Sequence, residues 1–115
     1  MHEYSIIQSL LDRAEGVATE HGATGIHRLK VRIGELSGVE IPLLASAFEV
    51  FRKGSLCSAA DLEIEAVPAR WVCPRCGRTF HRGEFLRCGE CGVPARLEEG
   101  DEIILARVEM EVPDV

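Results

Sequence analysis

From Tyr4 to His21, apolar residues recur at Ile6, Ile7, Leu10, Leu11, Ala14, Val17 and Ala18, a spacing that lays one buried stripe along a helix. Gly22 supplies the stop. The period then shortens to two. Between Ile26 and Leu36, Leu29, Val31 and Ile33 alternate with Arg28, Lys30 and Arg32, which predicts a strand with one wet face. By parity Glu35 belongs to the buried face. Either Gly34 introduces a bulge that turns it outward, which is the simpler reading, or its carboxylate has a specific partner. Pro42 suits the first turn of a second helix, whose Leu44, Ala47, Phe48 and Phe51 form its stripe before Gly54 closes it.

Two more strands follow. Leu62, Ile64 and Ala66 alternate with Glu63 and Glu65 as far as Pro68, and after Gly100 the residues Ile104, Ala106, Val108, Met110 and Val112 alternate with Arg107, Glu109 and Glu111. The fold class these stripes imply is α+β, with a three-stranded sheet carrying two helices on one face. The 115 residues allow one main domain. Residues 70–100 read as an excursion between two strands of that sheet, leaving 1–69 and 101–115 as a discontinuous body.

The excursion carries the clearest chemistry. Cys73-Pro-Arg-Cys76 and Cys88-Gly-Glu-Cys91 are two pairs with a two-residue gap, which lets both thiolates of a pair reach one metal from a tight turn. The loop from Gly77 to Arg87 is long enough to fold the second pair onto the first. Gly77 and Gly92 follow the second cysteine of each pair, where positive φ lets the backbone curl around the sulfur. This is a zinc-ribbon signature, and four sulfurs leave no open position, so the zinc is expected to be structural. A redox dithiol fits two matched, glycine-followed pairs less well, and a disulfide framework less well still. No signal peptide or long apolar run interrupts the charge pattern, which sets the expectation of a cytoplasmic protein without a membrane span, where thiolates persist. Cys57, outside both pairs, is most simply a small buried residue.

Charge divides the chain. Six arginines (Arg70, Arg75, Arg78, Arg82, Arg87 and Arg96) against Glu84 and Glu90 make residues 70–96 +4, or about +2 with a zinc tetrathiolate included. The rest of a chain whose total is −6 is then −10. A mildly basic lobe on an acidic body suits docking to an acidic protein surface at least as well as binding nucleic acid.

Of the four histidines, His21 ends a helix, where an imidazolium complements the dipole, and His27 faces solvent at the start of a strand. His81 lies between the cysteine pairs and reads as an exposed loop residue or a spare ligand. His2 differs because its bulk retains the initiator Met1, leaving an α-amine one residue from an imidazole. The Met1 amine, the deprotonated His2 amide and His2 Nδ1 can close fused chelate rings, a planar nitrogen set that suits Ni(II) or Cu(II).

Met1-His2-Glu3, Gly34-Glu35, Ala47-Phe48, the two Cys-x-x-Cys pairs and Gly100-Asp101-Glu102 together resemble the HypA/HybF family of hydrogenase nickel-maturation proteins over nearly the whole chain. The resemblance implies a metallochaperone, not an enzyme, in which Met1, His2 and Glu3 receive nickel while Cys73, Cys76, Cys88 and Cys91 hold zinc. It further implies transfer, with a partner GTPase, to the large subunit of a [NiFe] hydrogenase, and in some organisms to urease. The Glu3 backbone or carboxylate, His81 and a partner residue are all candidates for the fourth nickel ligand. One departure is Cys88-Gly-Glu-Cys91-Gly-Val, where the family often has proline after the first cysteine and serine after the glycine; no ligand is lost.

The residues themselves agree with a carrier. There is no Gly-x-x-x-x-Gly-Lys phosphate loop and no nucleophile with a base beside it. A site built on a terminus also releases metal more readily than a closed four-cysteine site. The alternative is a zinc-ribbon module for nucleic acid, with Trp71, Phe80 and Phe85 as stacking groups. Against it stand the acidic body and an aromatic content of only 5%, and the three rings are explained more simply as packing around the zinc turns. Steep loss of affinity with salt would mark a true phosphate-reading surface.

Overall fold

The computed structural model describes residues 2–113. Helix α1 (Glu3–Glu20) buries Ile7, Leu10, Leu11, Ala14 and Ala18, as its periodicity requires, with Val17 at the exposed margin. It closes where Gly22 takes φ 69° and the Ala23 N–H returns to the Ala18 carbonyl at 2.9 Å. Strand β1 (Gly25–Gly34) leads to helix α2 (Ile41–Phe51), which enters through Pro42 and buries Leu44, Ala47 and Phe48. Strand β2 (Asp61–Val67) then runs parallel to β1, and β6 (Ile103–Glu111) pairs antiparallel on its other side, giving the order β2-β1-β6. The inward strand residues Ile26, Leu29, Val31 and Ile33 join the buried faces of both helices in one core. Their outward neighbours form a ladder of exposed ion pairs, Arg28–Glu63 (3.3 Å), Lys30–Glu65 (3.3 Å) and Arg32–Glu65 (3.0 Å), which keeps that face wet and adds little stability. Among the described residues no helix is long and apolar enough to cross a membrane.

The last strand departs from strict alternation. Its half-buried residues are Ile103, Leu105, Val108 and Met110, whereas Ile104 and Ala106, expected inside, face out. The pairing explains the phase change: Lys30 faces Arg107 and Val31 faces Leu105, so Ala106 is an extra residue. A matching irregularity on β1 leaves His27 extra between Ile26 and Arg28, so the two strands stay in step. That is why Ile26 and Leu29, three residues apart, are both buried.

Between β2 and β6 the chain builds a second sheet of three short strands, β3 (Arg70–Val72), β4 (Thr79–His81) and β5 (Arg96–Glu99), in the order β4-β3-β5. The radius of gyration is 18.1 Å, against about 13 Å for a compact chain of this length, because this lobe projects from the body. The two meet at a tight neck. A Cβ on Gly34 would collide with the Gly100 carbonyl, and one on Gly100 with the Ala69 backbone. The Gly34 N–H donates to Glu102 (2.8 Å), the Glu35 N–H to Val67 (2.8 Å) and the Leu36 N–H to Gly100 (2.6 Å).

Glu35 corrects an expectation here. β1 ends at Gly34 and its bulge lies elsewhere, so no bulge at Gly34 turns Glu35 outward. Its carboxylate instead has specific partners, accepting from the Ala69 N–H at 2.8 Å and from Arg82 at 3.1 Å. The Ala69 N–H, and after it Arg82, hold the Glu35 carboxyl below its ordinary range.

Candidate metal centres

Two nearly identical turns present the cysteines. In the first, the Cys73 N–H donates to Arg78 (2.8 Å) and the Gly77 N–H returns to Cys73 (2.9 Å). In the second, the Cys88 N–H donates to Val93 (3.0 Å) and the Gly92 N–H returns to Cys88 (2.8 Å). Gly77 and Gly92 take φ 78° and 68°, the left-handed conformation that glycine tolerates without strain and that curls the chain back over the sulfur. The Cys91 N–H points at Cys88 Sγ (3.5 Å).

The four sulfurs lie within 4.8 Å of one another, and Cys76 Sγ is 3.8 Å from Cys88 Sγ. A zinc ion with Zn–S bonds of about 2.3 Å makes a tetrahedron whose edge is about 3.8 Å, so the quartet has the dimensions of a tetrathiolate site. Its protons tell the same story. The Cys76 backbone N–H draws the Cys73 thiol down to about 6, while the side-chain contact with Cys73 pushes Cys91 up to about 12. Four sulfurs this close cannot all be thiolates unless a cation sits among them. Cys73 and Cys88 are buried, Cys91 is half-buried and Cys76 is exposed, so the site lies near the lobe surface but is closed by its own four ligands.

The aromatic residues of this lobe divide. Phe80 is buried beside Cys73 and Cys88, with Trp71 packed against them, as expected. Phe85 does not pack around the turns and is 80% exposed. Glu84 turns back to accept from the His81 N–H at 2.6 Å, and Leu86 takes the interior position that Phe85 leaves. Packing around the turns thus holds for Trp71 and Phe80 but not for Phe85, and the burial of Phe80 also splits the trio that the nucleic-acid alternative would stack on bases.

At the other end, His2 is the exposed N-cap of α1, with its carbonyl accepting from the Ile6 N–H at 3.2 Å. Met1 lies outside the described residues. Glu3 is only 9% exposed and its carboxylate accepts from the Glu40 N–H at 3.3 Å, which docks the first turn of α1 onto the start of α2. Its own backbone N–H, and then that of Glu40, hold the Glu3 carboxyl below its ordinary range. The sequence pattern missed this pairing because the two residues stand 37 apart; it brings Glu40, with an exposed side chain, beside the N-terminal turn. His81 is exposed on β4, and the metal-compatible cluster found among the described residues contains the four cysteines without it.

Residues 1–110 match a family model described as hydrogenase/urease nickel incorporation, metallochaperone, hypA. The chain belongs to the HypA family. It is 40% identical over 112 residues, 96% of this chain and 97% of the other, to the hydrogenase maturation factor HypA of Nitrosospira multiformis. It is 42% identical over 117 residues to the HypA of Wolinella succinogenes, covering 99% and 98% of the two chains. The solution structure of the Ni metallochaperone HypA from Helicobacter pylori superimposes with a TM-score of 0.73 at 34% identity, covering 98% of this chain and all of that one. A second solution structure of a HypA protein gives 0.78 at 33% identity, covering 98% of each chain. The HypA family is thus one of metallochaperones and maturation factors rather than of enzymes, and its α+β fold with a four-cysteine lobe is the fold of this chain.

Proposed function

We propose that the protein is a nickel metallochaperone of hydrogenase maturation, carrying Ni(II) at its N-terminus and a structural zinc in the cysteine lobe. The observation that carries this reading is the match to the HypA family over residues 1–110, which takes in both His2-Glu3 and the two cysteine pairs. The work divides between residues 1–69 with 101–115, which hold nickel, and residues 70–100, which hold zinc. Cys73, Cys76, Cys88 and Cys91 fit zinc by number, softness and spacing, and the metal there supplies cross-linking of two loops. Nickel is cargo. The exposed His2 and the retained Met1 amine offer nitrogen donors that a partner can rearrange, and Glu3 keeps that turn against α2.

The acceptor in this reading is the large subunit of a [NiFe] hydrogenase, with urease as the alternative acceptor, and a nickel-pathway GTPase supplies the nucleotide-driven step. Complex formation with that GTPase should weaken when charges on the basic lobe or acidic body are reversed. The work belongs in the cytoplasm, a reducing compartment where four unpaired cysteines remain available to a metal.

Calorimetric nickel titration of protein with a native terminus, an N-terminally extended form and His2→Ala tests the site. Extension turns the amine into an amide, and His2→Ala removes the ring nitrogen, so nickel binding should fall sharply in both while zinc content and fold persist. Acid should weaken the native site because its donors must shed protons to bind. Unchanged nickel affinity in the extended protein rejects the site.

A further inference from the structure

Residues 70–99 hang from the body by two chain passages, through Pro68–Ala69 and through Gly100. The backbone hydrogen bonds at the neck end on Val67, Gly100 and Glu102, short of the lobe itself. Among the described residues, one hydrogen bond joins the lobe proper to the body: Arg82, in the loop between the cysteine pairs, to Glu35 Oε2 at 3.1 Å. The other oxygen of the same carboxylate accepts from the Ala69 N–H at 2.8 Å, at the point where the chain leaves the body. Glu35 is itself held, since the backbone on either side of it donates to Val67 and Gly100. One rigidly mounted carboxylate thus grips both the root of the lobe and its loop.

We infer that Glu35 is a positioning residue that locks the cysteine lobe in one orientation on the body. Without it the lobe retains its own sheet and its four-sulfur site, but its two passages no longer fix where it points. With it, a partner that grips the lobe also sets the direction of the N-terminal turn, because the two ends move as one body. A carboxylate suits the position because it can accept two hydrogen bonds on separate oxygens and oppose the Arg82 charge. Ion pairs as exposed as Arg82 with Glu35, at 68% and 31%, contribute little to global stability, but orienting an already tethered lobe takes far less than folding it.

The inference goes beyond nickel binding and stands or falls separately from it. Residual dipolar couplings on the zinc-loaded protein give the degree of alignment of each lobe, and their ratio reports how rigidly the lobes are joined. The ratio should be near one in the native protein and fall by about half or more in Glu35→Ala, with a smaller fall in Arg82→Ala. Zinc content and nickel affinity should match the native protein in both variants. Should Glu35→Ala not fold, Glu35→Gln keeps the shape and one acceptor while losing the charge, and it should behave like Arg82→Ala. A ratio well below one in the native protein overturns the assignment, as does a ratio near one in every folded variant.

Discussion

In the body, Leu29, Ile33, Leu44 and Phe48 are sealed between two helices and a sheet, whereas the buried cluster of the lobe is Cys73, Phe80 and Cys88. Two of those three are themselves metal-ligand candidates. The body therefore buries apolar surface to fold, while the lobe, with strands of three or four residues, encloses too little and must rely on bonds to an ion. Stability in one half should answer to packing and in the other to chelation.

The sharpest way to break this comparison is to withdraw the metal. Binding free energies of structural zinc are on the order of 10 kcal/mol, so a strong chelator should unfold the lobe almost completely. Amide spectra should then lose the dispersed signals of residues 70–99 and keep those of α1 and α2. Cys88→Ala should act alike. A lobe that stays ordered without metal would show that its small core suffices.

Phe48→Ala strikes the other half. Phe48 is 1% exposed, and truncating a buried Phe costs about 3–5 kcal/mol, read as a lower denaturation midpoint. Zinc content of the remaining folded protein should not change. Gly34→Ala should cost less, about 1–3 kcal/mol by overpacking, yet it should disturb signals in both halves because the new methyl meets Gly100 at the neck.

The smallest effect concerns pH. Bonds from Ala69 and Arg82 hold the folded Glu35 carboxyl below its ordinary 4.5, so its stabilising contribution is complete above 4.5 and disappears as pH falls through the lower folded value. A titration of the Glu35 side-chain carbon resonance should locate its midpoint below 4.5, and Arg82→Ala should move it upward.

What the sequence made legible follows from how local each signal is. Both helices, the paired strands of the body and the cysteine quartet rest on short-range spacing. Strand β6 was misread at Ile104 and Ala106 because a bulge shifts parity, and a bulge is fixed by the partner strand. The sheet of the lobe left no alternation to read, since three-residue strands are shorter than the pattern that reveals them. Glu35 stood out as a parity violation, but Arg82 lies 47 residues away, so its partner could not be read from local pattern. Phe85 faces solvent because Leu86 packs inward in its place, beside a turn that the exposed Glu84 closes onto the His81 N–H, a choice set by turn geometry rather than hydrophobicity.

Cys57 gives the metal chemistry a quieter requirement. It is fully enclosed, and burial first, then the nearby Glu15 charge, pushes its thiol up to about 11. At neutral pH it stays protonated and out of reach, so among the described residues of the body a soft or borderline metal finds no competing thiolate. A carrier of nickel gains from that silence: an extra accessible thiolate would be a decoy that captures cargo without any route to release it.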